Sequence, residues 1–170
     1  LAGTVMIKDI FNPGFNAGSI TGDVPTAFMN GFVYFVAIDV YDANNLNLMP
    51  PQNPYVNAEL WRTDGSSAGT FPVTHLPDPA AHIWRIAATA THAFFFVEDV
   101  TFGQELWSTD GSAAGTRPVT DFGFHEPFGD NEYSSHLVAG DSRAFFFATD
   151  GIAGVQVWSA SSSSGSASPV

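Results

Sequence analysis

The chain has no cysteine, and only five of its 170 residues are basic: Lys8, Arg62, Arg85, Arg117 and Arg143. Without cysteine there is no disulfide framework, thiolate metal site or haem-attachment motif. So few basic residues leave no positive footprint for a nucleic-acid backbone. Seventeen acidic residues bring the net charge to −12, which an anionic membrane surface would repel. No run approaches the length of apolar sequence that a spanning helix needs, so none is expected. Leu1 is followed by neither a basic n-region nor an apolar h-region, so the chain reads as a mature product or an internal fragment.

What is present favours strands and turns. Sixteen Phe, 16 Gly and 11 Pro accompany a hydrophobic fraction of 45%, enough for one domain, or a piece of one, with a buried core.

The chain repeats itself. Residues 59–74 read E-L-W-R-T-D-G-S-S-A-G-T-F-P-V-T, and residues 105–120 read E-L-W-S-T-D-G-S-A-A-G-T-R-P-V-T, identical at 13 of 16 positions. A third copy runs from Gln156-Val157-Trp158-Ser159 to Pro169-Val170, in register but without the Asp-Gly pair that supplies the turn chemistry. The segment 1–10 matches only the tail of a copy and reads as the last strand of a preceding unit. An aromatic segment recurs in phase at 33–39, 93–99 and 144–150, each time after a turn-like tetrad, of which Asn30-Gly31 is the strongest hairpin signal. Each unit therefore carries four short strand candidates, with units at about 11–76, 77–122 and 123–170. Asp64 and Asp110 are suited to bond amides two residues on, and Gly65 and Gly111 to accept positive φ. Trp61, Trp107 and Trp158 occupy one slot of the unit and read as pillars between neighbouring units. The Phe triplets 94–96 and 145–147 suggest strands buried on both faces.

Gly65-Ser66-Ser67-Ala68-Gly69 matches the G-x-S-x-G pattern of a nucleophile elbow. Ser67 is replaced by Ala113 in the second copy, however, and the following residues read as a strand, where an elbow needs a helix. The match is a turn.

The residues Glu59-Leu60-Trp61-Arg62-Thr63-Asp64-Gly65-Ser66 and Glu105-Leu106-Trp107-Ser108-Thr109-Asp110-Gly111-Ser112 resemble the bacterial ELWxxDGT repeat family, with Ser in place of the motif's final Thr. The resemblance implies a propeller-like fold and an extracellular, cell-surface or periplasmic location. It supplies no catalytic residue.

The expected fold is all-β: three four-stranded antiparallel units arranged as propeller-like blades, with a β-trefoil as the alternative. Propellers close with about 4–8 blades. Three units therefore imply a piece of a longer propeller, two chains completing a six-bladed ring, or the trefoil.

Function is sought where the units differ. The first unit is the longest, and its insert at 41–58 offers Tyr41, Leu46, Leu48, Met49 and Tyr55 as apolar anchors for a partner. The loop 121–135 places Asp121, Glu126, Asp130 and Glu132 close together in sequence, a calcium candidate without an EF-hand pattern. Trp84, in His82-Ile83-Trp84-Arg85, and Tyr55 are the candidates for stacking on a sugar. Asp39, Asp99 and Asp150 recur after each aromatic strand and read as strand-ending turns in preference to a carboxylate ring. The five histidines lack zinc-ligand spacing.

The combined expectation is a non-catalytic binding or scaffolding module with no required cofactor. Its partner is a protein, in a homo-oligomer or larger complex. Carbohydrate binding and hydrolysis at a propeller axis are the rivals.

Overall fold

The computed structural model describes residues 6–8, 25–38, 58–78, 81–99, 103–122, 136–162 and 166–170. Every regular element among them is a β-strand, and they form three separate four-stranded antiparallel sheets. Sheet one contains β1 (Thr26–Met29), β2 (Phe32–Ile38), β3 (Ala58–Thr63) and β4 (Phe71–Pro72). Sheet two contains β5 (His82–Ala88), β6 (Ala93–Asp99), β7 (Gly103–Thr109) and β8 (Arg117–Pro118). Sheet three contains β9 (Leu137–Ala139), β10 (Arg143–Ala148), β11 (Gln156–Ser161) and β12 (Ala167–Pro169). In each sheet the strands neighbour one another in chain order, so each sheet is a meander.

The register repeats with the sequence. Phe35 pairs with Trp61 and Trp61 with Pro72. The same ladder is Phe95, Trp107, Pro118 in sheet two and Phe146, Trp158, Pro169 in sheet three. The Asn30-Gly31 hairpin has φ of 52° and 82°, the double left-handed conformation of the two-residue turn that matches strand twist.

A strand presents alternate side chains to opposite faces, which gives every sheet a front and a back. Tyr34 and Val36 lie on the front of sheet one, which packs on the back of sheet two through Ala93, Phe95 and Val97. The front of sheet two, with Phe94 and Phe96, packs on the back of sheet three through Ala144, Phe146 and Ala148. The sheets thus stack front to back, and the first strands β1, β5 and β9 run beside one another, the arrangement of propeller-like blades.

Two expectations change here. A trefoil needs strands of different units paired in a common barrel, whereas among the described residues each strand pairs only within its own sheet. Between the described parts of different units, one backbone bond crosses, from the Ala167 amide to the Val119 carbonyl at 3.1 Å. Second, only one of the Phe triplets is buried on both sides. Phe94, Phe95 and Phe96 have no exposed surface because sheet two has a neighbour on each face. Phe146 is buried, but Phe145 and Phe147 are 37% and 42% exposed because they lie on the uncovered front of sheet three. The fourth strand expected of the third unit is present: the β11–β12 hairpin forms without an Asp-Gly pair, held by register from Trp158↔Pro169 to Ala160↔Ala167.

Of the segment 1–10, residues 6–8 are described and belong to no strand. Lys8 donates from Nζ to the Thr70 carbonyl at 2.7 Å and lies 5.8 Å from the Trp61 ring.

Candidate functional site

The motif residues build two closely similar turns. In the first, the Ser66 amide and hydroxyl both donate to Asp64 Oδ1, at 2.8 and 2.7 Å. The Ser66 hydroxyl accepts from the Gly69 amide at 2.9 Å, and its carbonyl accepts from the Thr70 hydroxyl at 2.6 Å. Thr63 and Thr70 share a hydroxyl bond of 2.7 Å across the hairpin.

The second turn repeats the set bond for bond. The Ser112 amide and hydroxyl donate to Asp110 Oδ1 at 2.8 and 2.7 Å, and the Ser112 hydroxyl accepts from the Gly115 amide at 3.0 Å. The Thr116 hydroxyl reaches the Ser112 carbonyl at 2.7 Å and the Thr109 hydroxyl at 2.7 Å. Ser66 and Ser112 thus engage their hydroxyl, amide and carbonyl groups in these turns. Ser67 is exposed and takes no part in them.

These bonds to the ionised form hold the Asp64 and Asp110 carboxyls below their ordinary value of 3.8, with the Ser66 and Ser112 hydroxyls as the largest cause. The turn also explains the second glycine of the motif. A Cβ on Gly69 would lie 2.1 Å from Asp64 Oδ1, and one on Gly115 would lie 2.2 Å from Asp110 Oδ1.

Sheet three moves this chemistry to its other hairpin. Between β10 and β11, the Gly151 amide donates to Thr149 Oγ1 at 3.1 Å, and the amides of Ile152 and Ala153 donate to Asp150 Oδ1 at 2.9 and 3.1 Å. These backbone bonds pull the Asp150 carboxyl down. Asp150 therefore caps a turn. Asp99 is buried at the end of β6, opposite Gly103, and Asp39 lies outside the described residues.

One role of the motif was not assigned from sequence. Glu59 accepts from the Thr74 hydroxyl and from the Leu76 amide, the latter at 3.0 Å, while Thr74 accepts from the Leu60 amide at 2.8 Å. Glu105, Thr120, Phe122 and Leu106 form the same staple. It holds the chain leaving each sheet, so that Leu76 lines the core between sheets one and two. Phe122 meets Trp158 edge-on at 5.1 Å. The signal was available in the equal spacing of Glu59 to Thr74 and of Glu105 to Thr120.

The first junction carries a further tie. Arg62 lies over the rings of Phe32 and Phe71, at 4.2 and 4.4 Å, and donates from Nη1 to the Gly111 carbonyl at 2.7 Å. Its Nε is buried without a hydrogen-bond partner. Burial pushes the Tyr34 hydroxyl above its ordinary 10.0, and the hydrogen bond to Arg62 restrains the rise.

The three tryptophans stand at equivalent places with different settings. Trp107 and Trp158 are half-buried against the two cores, and Trp158 donates from Nε1 to the Ala148 carbonyl at 3.2 Å. Trp61 is buried with its Nε1 unpartnered.

Trp84 is half-buried, with His82 stacked on it at 5.4 Å and Phe96 beside it at 5.6 Å. Burial lowers the pKa of His82 below 6.5. A bulge follows, with Arg85 at φ 51°. Tyr41, Leu46, Leu48, Met49 and Tyr55 lie outside the described residues, as do Glu126, Asp130 and Glu132; Asp121 is exposed. Among the described residues no three His, Asp or Glu side chains come together as a metal site. No described helix is long and apolar enough to cross a membrane.

The front of sheet three departs from its counterpart in sheet two, which is core. Val138, Phe145, Phe147 and Val157 are exposed there, with His136 edge-on to Phe147 at 6.2 Å. Arg143 donates to Ser159 Oγ at 3.1 Å on the same face. No family model and no curated protein matches the chain, so the resemblance to the ELWxxDGT repeats rests on the motif residues themselves.

Proposed function

We propose that the chain is a non-catalytic binding and scaffolding module that holds a protein partner through the open front of its third sheet. One contrast supports this reading. In the two well-kept units the polar motif side chains are engaged in their own turns and staples. The face bearing Phe145, Phe147 and Val157, whose counterparts in sheet two are core, stays exposed. An exposed apolar patch of this kind marks an interaction surface. The resemblance to secreted and surface repeat proteins supports a location outside the cell, at its surface or in the periplasm.

Cross-linking mass spectrometry on source material tests the reading. Cross-links from sheet three to a protein, absent from a Phe145→Glu/Phe147→Glu variant that remains folded, support it. Cross-links that ignore the substitutions overturn it. A glycan-array signal lost on replacing Trp84 or Tyr55 would favour the carbohydrate reading instead. Turnover of glycosides or lactones would favour the hydrolase. Calorimetry with calcium tests the loop of Asp121, Glu126, Asp130 and Glu132.

A further inference from the structure

The stacking rule inside the chain is directional: the front of one sheet covers the back of the next, and this happens twice. Such an interface is heterologous, with different surfaces on its two sides, and nothing in its geometry stops it from being used again between molecules. Among the described residues the front of sheet three stays open, and so does the turn end of the back of sheet one, while farther along that back Ala37 and Trp61 are buried. On the front of sheet three, Phe145 and Phe147 are 37% and 42% exposed, whereas their counterparts Phe94 and Phe96 on sheet two are at 0%. On the back of sheet one, Val33 is 40% exposed and Phe28 is 69% exposed. The counterparts of Val33, namely Ala93 and Ala144, are at 0%.

The turn glycines agree. Gly111 of sheet two is covered by sheet one, since a Cβ there would lie 2.3 Å from the Tyr34 hydroxyl and 3.0 Å from Arg62 Nη1. Its counterpart Gly65 has nothing within 4 Å of that position. Sheet three also offers a guanidinium. Ser159 stands where sheet one has Arg62, and Arg143 donates to it, which places a cation at the slot that ties sheet one to Gly111.

We propose that a second copy of this chain docks head to tail, with the front of sheet three in one molecule covering the back of sheet one in the other. The contact is centred on Phe145 and Arg143 against Val33, Phe28 and the Gly65 turn. The inference rests on the scaffolding reading above and names the occupant of the open face. Residues 6–8 cover Trp61 through Lys8, so the docking area is the turn end of sheet one. Two copies of the described residues bring six sheets together, within the range in which blades close. The net charge of −12 opposes association, so the complex strengthens as salt is raised.

The test is complementation. Phe145→Glu spoils the front of sheet three, and Val33→Glu spoils the back of sheet one; both residues are partly exposed, and circular dichroism checks that each variant folds. In native mass spectrometry the unmodified chain is expected to show multiples of the chain mass, and each variant alone only the monomer. An equimolar mixture of the two variants retains one intact front and one intact back, and is expected to show a complex holding one molecule of each. A monomeric unmodified chain at high concentration and salt overturns the proposal. So does a mixture that fails to pair while the unmodified chain does, since that marks an isologous contact. If the chain stays monomeric yet cross-links to another protein through Phe145, only the second-copy inference fails and the binding reading stands.

Discussion

The Arg62 guanidinium donates to the Gly111 carbonyl at 2.7 Å, so a residue of β3 in the first sheet is bonded to the turn of the second. Two aromatic faces hold that guanidinium in place, Phe32 at 4.2 Å and Phe71 at 4.4 Å. A planar cation suits this slot, and an ammonium does not.

Replacing Arg62 by Met is expected to destabilise the fold by about 1–3 kcal/mol, since two cation–π contacts and a charge-assisted bond are lost. Lys should recover little of it. Urea unfolding measures the loss, and Tyr34 reports its cause. Burial raises the Tyr34 pKa above 10.0 and Arg62 opposes the rise, so the variant should move its ionisation further upward in an absorbance titration. In the unmodified chain this contribution to stability is complete below pH 10.0, and it is lost as pH climbs through the raised native value. A Tyr34 titration unchanged by the substitution would contradict the arrangement.

The Glu105 staple makes a second prediction. Glu105 is 3% exposed, and its carboxylate receives the Thr120 hydroxyl and the Phe122 amide. Glu105→Ala takes the carboxylate acceptor away from both donors, a cost of about 2–3 kcal/mol. Phe122 should also lose its fixed place against Trp158, shifting the tryptophan emission. Destabilisation without any change at Trp158 would mean that the staple does not position the linker.

Much of this architecture was legible because repetition exposes phase. The ladder of Phe35, Trp61 and Pro72 could be anticipated from three in-phase aromatic segments, and the Asn30-Gly31 turn from its dipeptide alone. The Glu-to-Thr staple was equally present as a fixed spacing, but a carboxylate in a strand reads as a solvated side chain until its partners are seen. The exposure of Phe145 was not readable at all. Its sequence neighbourhood matches that of Phe94, and the difference comes from whether another sheet lies in front, a tertiary fact with no local trace. The insert with Tyr41 and Tyr55, the strongest functional candidate in sequence, lies outside the described residues.

Within one triplet, Phe146 and Phe147 should therefore respond differently to truncation. Phe146 is 2% exposed and meets Phe96 edge-on at 6.2 Å across the junction, so Phe146→Ala should cost about 3–5 kcal/mol. Phe147→Ala, on the open face, should change monomer stability by less than about 1 kcal/mol. Equal losses in thermal unfolding would show that the front of sheet three is covered in the monomer.

The last prediction concerns why the motif needs its second glycine. A Cβ on Gly115 would lie 2.2 Å from Asp110 Oδ1, so Gly115→Ala must displace the carboxylate that receives the Ser112 amide and hydroxyl. We expect a loss of about 2 kcal/mol. In an Asp110→Ala background the clash has no partner, so the same substitution should cost less, with a coupling of about 1 kcal/mol in the double-mutant cycle. Acid titration checks the same contact. The Ser112 bonds lower the Asp110 carboxyl below 3.8, so its contribution is present above that value and fades as pH falls through the lower native one. Asn at this position keeps the acceptor without the titration and should flatten the acid limb, and Gly115→Ala should flatten it too by breaking the bonds. Strict additivity in the cycle, with an unchanged acid limb in both single variants, would mean that the glycine is kept for another reason.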